Sequence, residues 1–85
     1  MIEYQIVIPK KVVKQLNKIP LLHRGKIRQV IASLATDPLL GKKLEGKLSH
    51  QLSIRVWPYR IIYTIFEKQV TILILAVSHR QGSYK

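Results

Sequence analysis

Two short stretches gather residue types that could handle a phosphodiester. RVWPYR carries Arg55 and Arg60, and the ending VSHRQGSYK carries His79, Arg80 and Tyr84, with no acid in either stretch. A guanidinium stays charged and forks onto phosphate oxygens. An imidazole exchanges protons near neutral pH, and a phenol can donate a proton or stack on a base. RNA supplies its own nucleophile, the 2′-OH, so cations to hold transition-state charge and groups to move two protons would suffice to cut it. Lys42, Lys43 and Lys47 in GKKLEGKL, with Trp57 and Tyr59 interleaved among the arginines, suit a single-stranded backbone and its bases. Each residue alone also has a plainer reading: solvated arginines at strand ends, a surface histidine, a packing tyrosine, a tryptophan on the sheet rim. Only their grouping raises the chemical reading above these.

The charge balance favours the same class of partner. Fifteen Lys and Arg stand against four acids, a formal charge of +11 on 85 residues, and self-repulsion on that scale points to a polyanion, nucleic acid first. Cysteine is absent, which removes disulfides, thiolate metal sites and Cys nucleophiles together. His23, His50 and His79 have no metal-ligand spacing, and no glycine-rich phosphate loop or Ser-His-Asp set is visible, so no metal and no cofactor are expected. No apolar run is long enough to span a bilayer and MIEYQIVIPKK does not read as a secretory signal, so the expectation is a cytoplasmic protein with no membrane partner.

One domain over residues 1–85 must position these groups. Ile2 to Ile8 predicts a strand ended by Pro9. Val12, Val13, Leu16 and Ile19 recur at helical spacing, as do Ile27, Val30, Ile31 and Leu34, so two amphipathic helices are predicted over about 10–19 and 22–36, stopped at Pro20 and Asp37-Pro38. After a glycine- and lysine-rich loop the period becomes two, predicting strands over 52–57, 60–66 and 70–77. The order βααβββ predicts an α+β fold, two helices packed on a mainly antiparallel four-stranded sheet.

If Trp57 faces Arg60 and Glu67 faces Val70 across their turns, one sheet face collects Leu52, Ile54, Val56, Ile61, Tyr63, Ile65, Ile72, Ile74 and Ala76 for the helices. Arg55, Trp57, Arg60 and His79 then share the opposite face, together with Ile62, Phe66, Leu73, Leu75 and Val77. With no further helix to cover that apolar band, a partner segment with apolar anchors and acidic flanks is expected to dock there or across the helices.

Taken in order, KVVKQLNKIP, RGKIRQVIASLATDP, GKKLEGKL, IRVWPYRIIYTI and VSHRQGSY resemble the RelE/ParE superfamily of type II toxins, across essentially the whole chain. The resemblance implies helices packed on an antiparallel sheet and, in its RelE branch, a metal-independent endoribonuclease that cuts messenger RNA on the ribosome. It also implies an acidic cognate antitoxin that holds the toxin inactive in a hetero-oligomer. By resemblance Arg55 and Arg60 match basic active-site positions, Arg80 the arginine after the last strand, and Tyr84 the tyrosine that stacks on substrate. His79 falls where relatives carry His or Lys. Two departures stand out: Ser53 occupies the place of a lysine implicated in proton abstraction, and Trp57 replaces a basic residue. They leave the general base open, with His79 as candidate. They also leave open the ParE branch, which shares the fold and inhibits DNA gyrase without nuclease chemistry, and an inactive RNA-binding descendant.

Overall fold

The computed structural model describes residues 2–44 and 50–79. Its elements are β1 (Gln5–Val7), α1 (Lys10–Asn17), α2 (Leu21–Ser33), β2 (Lys42–Lys43), β3 (Gln51–Val56), β4 (Tyr59–Phe66) and β5 (Thr71–His79). The sheet has five strands in the order β1-β5-β4-β3-β2, with β1 parallel to β5 and the other pairs antiparallel. The expected α+β class stands. The strand count is corrected by one: the two-residue β2 pairs along β3, and nothing in the apolar pattern marks Lys42 and Lys43 as a strand.

Prolines start both helices. The Pro9 carbonyl accepts from the N–H groups of Val12 and Val13, and the Pro20 carbonyl from those of His23 and Arg24, so each proline sits where its missing N–H costs nothing. The end of α1 is closed by a side chain from α2. Arg24 donates from Nε and one terminal nitrogen to the Ile19 carbonyl, and from that nitrogen to the Asn17 carbonyl, satisfying acceptors that the helix leaves open. Arg24 is thereby a structural arginine.

Val12, Leu16 and Ile19 from the first helical segment and Ile27, Ile31 and Leu34 from the second pack onto Leu52, Val56, Ile61, Tyr63, Ile72, Ile74 and Val77. Full burial of one such aliphatic side chain stabilises by about 1.5–3 kcal/mol, and these thirteen carry most of what holds so short a chain together.

Two registers differ from the sequence expectation, with different consequences. In the β3–β4 hairpin Arg55, not Trp57, faces Arg60, because Trp57 and Pro58 form the turn and Val56 faces Tyr59. The slip is two residues, and side chains alternate with period two, so every face assignment on these strands survives. Between β4 and β5 the pairing starts as expected, with Ile65 facing Ile72 and Tyr63 facing Ile74, and then shifts: Ile62 faces Ala76, Ile61 faces Val77 and Tyr59 faces His79. Leu75 is the extra residue of a β-bulge, and one extra residue reverses the faces of everything beyond it. Val77, expected outside, is buried in the core at 3% exposure, and Ala76 is displaced from the helix side. The Val77 N–H, beyond the point where β1 ends, donates to Gln15 Oε1 from α1 at 2.8 Å.

Candidate nucleic-acid interface

Alternation along β3 and β4 sends Arg55 and Arg60 out of the face opposite the helices, and the hairpin register sets them directly opposite each other. Like charges facing across a strand pair destabilise it, so this arrangement is suited to an anion between or above the guanidinium groups. Beside them β2 brings up further cations. Lys42 faces Ser53 and Lys43 faces Leu52, so Lys42 shares the face of Ser53, Arg55 and Arg60. Gly41, Lys42, Lys43, Ser53, Arg55 and Arg60 line a groove of about 640 Å³ at this sheet edge, and no described lining residue is acidic.

The loop that leads into β2 is held by a core residue. Tyr63 is fully buried, yet its hydroxyl donates to the Pro38 carbonyl at 2.8 Å and accepts from the Gly41 N–H at 2.9 Å. Burial pushes the Tyr63 phenol above its ordinary value of 10.0; the Gly41 hydrogen bond opposes this and the Asp37 carboxylate adds to it. Gly41 is obligatory for close approach. A Cβ there would meet the Ser53 carbonyl and Tyr63 Oη at 2.8 Å and Ile54 Cγ1 at 2.9 Å. Sequence reading treated Tyr63 only as part of an apolar face. The available signal was its hydroxyl, which needs a partner when the ring is buried.

The remaining expected site residues do not all converge. His79 is corrected: the Leu75 bulge turns it away from the arginines, and its ring meets that of Tyr59 edge-on at 5.4 Å between centroids. On its other side Tyr59 meets His23, from the first turn of α2, at 5.5 Å. His23, which nothing in the sequence pattern singles out, therefore joins Tyr59 and His79 in a cluster of rings at the rim of the helix side. Trp57 is 62% exposed at the hairpin turn. Of the expected outer apolar band, Ile62, Leu73 and Leu75 are half-buried and Phe66 is exposed, while Val77 belongs to the core. Lys47, Arg80 and Tyr84 lie outside the described residues. Among the described residues no three His, Asp or Glu side chains come together as a metal site, and no helix is long and apolar enough to cross a membrane.

This architecture has known relatives. In Mycobacterium tuberculosis, Toxin RelG is 31% identical over 74 residues, spanning 85% of this chain and 85% of that protein. The toxin–antitoxin complex RelBE2 of the same organism contains a chain that superposes with a TM-score of 0.84 at 28% identity, over 93% of this chain and all of that one. An archaeal RelE–RelB complex from Pyrococcus horikoshii gives 0.81 at 28% identity, over 95% and 99%. The family model of the ParE toxin of type II toxin–antitoxin systems matches residues 6–84. A paired-arginine groove on a helix-backed sheet thus occurs here in a chain that belongs to the RelE/ParE superfamily, as a toxin of a type II toxin–antitoxin system.

Proposed function

We propose that this toxin is a metal-independent endoribonuclease that cuts messenger RNA on the ribosome and is neutralised by an acidic antitoxin. The observation that carries the reading is the facing pair Arg55 and Arg60 in a groove whose other described charges are Lys42 and Lys43. A phosphodiester passing through it would meet guanidinium groups from two facing residues where the attacked phosphorus gains negative charge. The 2′-oxygen bonds to phosphorus, the bond to the 5′-oxygen breaks, and the products are a 2′,3′-cyclic phosphate and a 5′-hydroxyl. Arg80 and Tyr84 are assigned to the same groove by resemblance, as a third cation and a base-stacking ring. Lys47 and the exposed Trp57 are assigned to ribosome and backbone contacts, with Tyr59 supporting the rim. His79 is not retained as the general base, because it meets Tyr59 edge-on, away from the arginines. RelE-type relatives in complexes with RelB support the antitoxin, for which the outer band around Phe66 and Leu73 offers apolar contacts on the same sheet face as Arg55 and Arg60.

The test is a purified translation reaction in which cuts in the messenger are mapped. Arg60→Ala should slow cleavage about a hundredfold, equivalent to about 3 kcal/mol of transition-state stabilisation, with a smaller loss of ribosome binding. Arg55→Ala, Arg60→Ala should leave no detectable cut. The family model that matches is that of the ParE toxin, which favours a second reading, inhibition of DNA gyrase. An uncut messenger with wild-type protein, together with gyrase arrest that survives the double substitution, would select that reading.

A further inference from the structure

The groove holds its cations in chemically unequal positions. Arg55 and Arg60 fix charge but do not exchange protons at physiological pH, and the Ser53 hydroxyl is a poor acid. The two lysines can exchange protons, and the pleat separates them. Lys43 faces Leu52, whose side chain is buried on the helix side, whereas Lys42 faces Ser53 on the arginine side. Lys42 is therefore the proton-exchanging side chain, among the described groove residues, that shares a face with both arginines. Its backbone is not left to a free loop: Gly41 is packed against the Ser53 carbonyl and tied to Tyr63, and Tyr63 ties Pro38 in turn.

We propose that Lys42 is the general acid of this site, and that Tyr63 is the positioning residue that holds it across from Ser53. The proposal rests on the endoribonuclease reading. As the 2′-oxygen bonds to phosphorus and its proton passes to water, the bond from phosphorus to the 5′-oxygen breaks, and the Lys42 ammonium gives that oxygen a proton. Water returns a proton to the amine, so the net change is transfer of the 2′-OH hydrogen to the 5′-hydroxyl. Arg55 and Arg60 hold the phosphoryl oxygens throughout and move no proton.

A messenger carrying a bridging sulfur at the 5′ position of the cleaved linkage isolates this role, because a thiolate leaves without being protonated. Ribosomes programmed with the ordinary or the sulfur-bridged messenger are treated with wild-type protein, Lys42→Arg and Lys42→Ala under single-turnover conditions. Lys42 is exposed, so both variants should melt with the wild type. On the ordinary linkage both should be slower by about a hundredfold or more, the scale of general acid catalysis, even though Lys42→Arg keeps the charge. On the sulfur-bridged linkage both should return to within about threefold of wild type, since the step they lack is no longer needed. An equal loss on the two linkages, or a Lys42→Arg protein as fast as wild type, overturns the assignment while leaving the nuclease reading intact. A wild type that cuts neither messenger sinks both.

Discussion

The two faces of one sheet divide the work of this chain. On the helix side Ile61, Tyr63, Ile72 and Ile74 have no solvent exposure, and the nearest polar demands are met by Gln15 and by the Tyr63 hydroxyl. On the outer side Arg55 and Arg60 face each other, like charges brought together where an anion can be received. A core face is selected for what it excludes, and the outer face for what it can receive. It follows that Arg55→Ala, Arg60→Ala should be as stable as wild type or slightly more so while removing activity, a dissociation that no substitution on the helix side should reproduce.

The sharpest test of how the division is set is to remove the one residue on which the change of register rests. Deleting Leu75 erases the bulge and leaves the other pairings as they are: with Ile74 still facing Tyr63, Ala76 faces Ile62, Val77 faces Ile61 and His79 faces Tyr59 in an unbroken ladder, so Val77 and His79 stay on the helix side. The deletion should therefore cost only the packing of a half-buried leucine, about 1 kcal/mol, and the Tyr59–His79 contact should persist. Urea unfolding measures the first effect; nuclear Overhauser contacts between the Tyr59 and His79 rings report the second. A deletion variant that is strongly destabilised, or that loses the ring contact, would show that the faces beyond Ile74 are not set by the bulge.

Tyr63 couples the faces, because its ring is core and its hydroxyl anchors the loop that carries Lys42. Tyr63→Phe leaves the Gly41 N–H and the Pro38 carbonyl without their partner and should cost about 1–3 kcal/mol. It should also change the response to alkali. The phenol's pKa is raised in the folded chain, so the folded state holds this proton more tightly than the unfolded state. The associated stability is complete below the unfolded value near 10.0 and is lost as pH rises from there through the raised folded value. Wild-type stability should therefore fall more steeply above pH 10 than that of Tyr63→Phe, as read by denaturant midpoints across pH; parallel slopes would remove the coupling.

Sequence reading reached the helices, the C-terminal three-strand meander and the outward Arg55 and Arg60 because these depend on periodicity, and a register error of two leaves period-two assignments unchanged. It failed at the end of β5 for a definite reason. Ile72 to Val77 is uninterrupted apolar sequence, so the pattern carries no phase from which a one-residue bulge at Leu75 could be noticed. His79 was misplaced by that single residue. β2 was missed because two lysines have no apolar face to reveal pairing, and the role of Gly41 because a close approach between residues more than ten positions apart leaves no local mark.

The smallest expected effect comes from a residue that belongs to neither face. Val70, in the turn before β5, has φ of 50°, a left-handed conformation that is costly for a β-branched side chain. The turn tolerates it because both backbone groups are used: the Val70 N–H donates to the Glu67 carbonyl at 3.1 Å, and the Val70 carbonyl accepts from the Gln5 N–H at 2.9 Å. That second bond brings β1 onto β5, so the strained residue sits at the junction of the chain's first and last strands. Asparagine adopts this conformation with less penalty, and the half-buried Val70 side chain gives up only part of its packing when replaced. Val70→Asn should therefore stabilise by about 0.5–1 kcal/mol, raising the melting temperature by several degrees while leaving messenger cleavage unchanged. A lower melting temperature would mean that the valine's packing outweighs its backbone strain, and would make this turn an extension of the helix-side core.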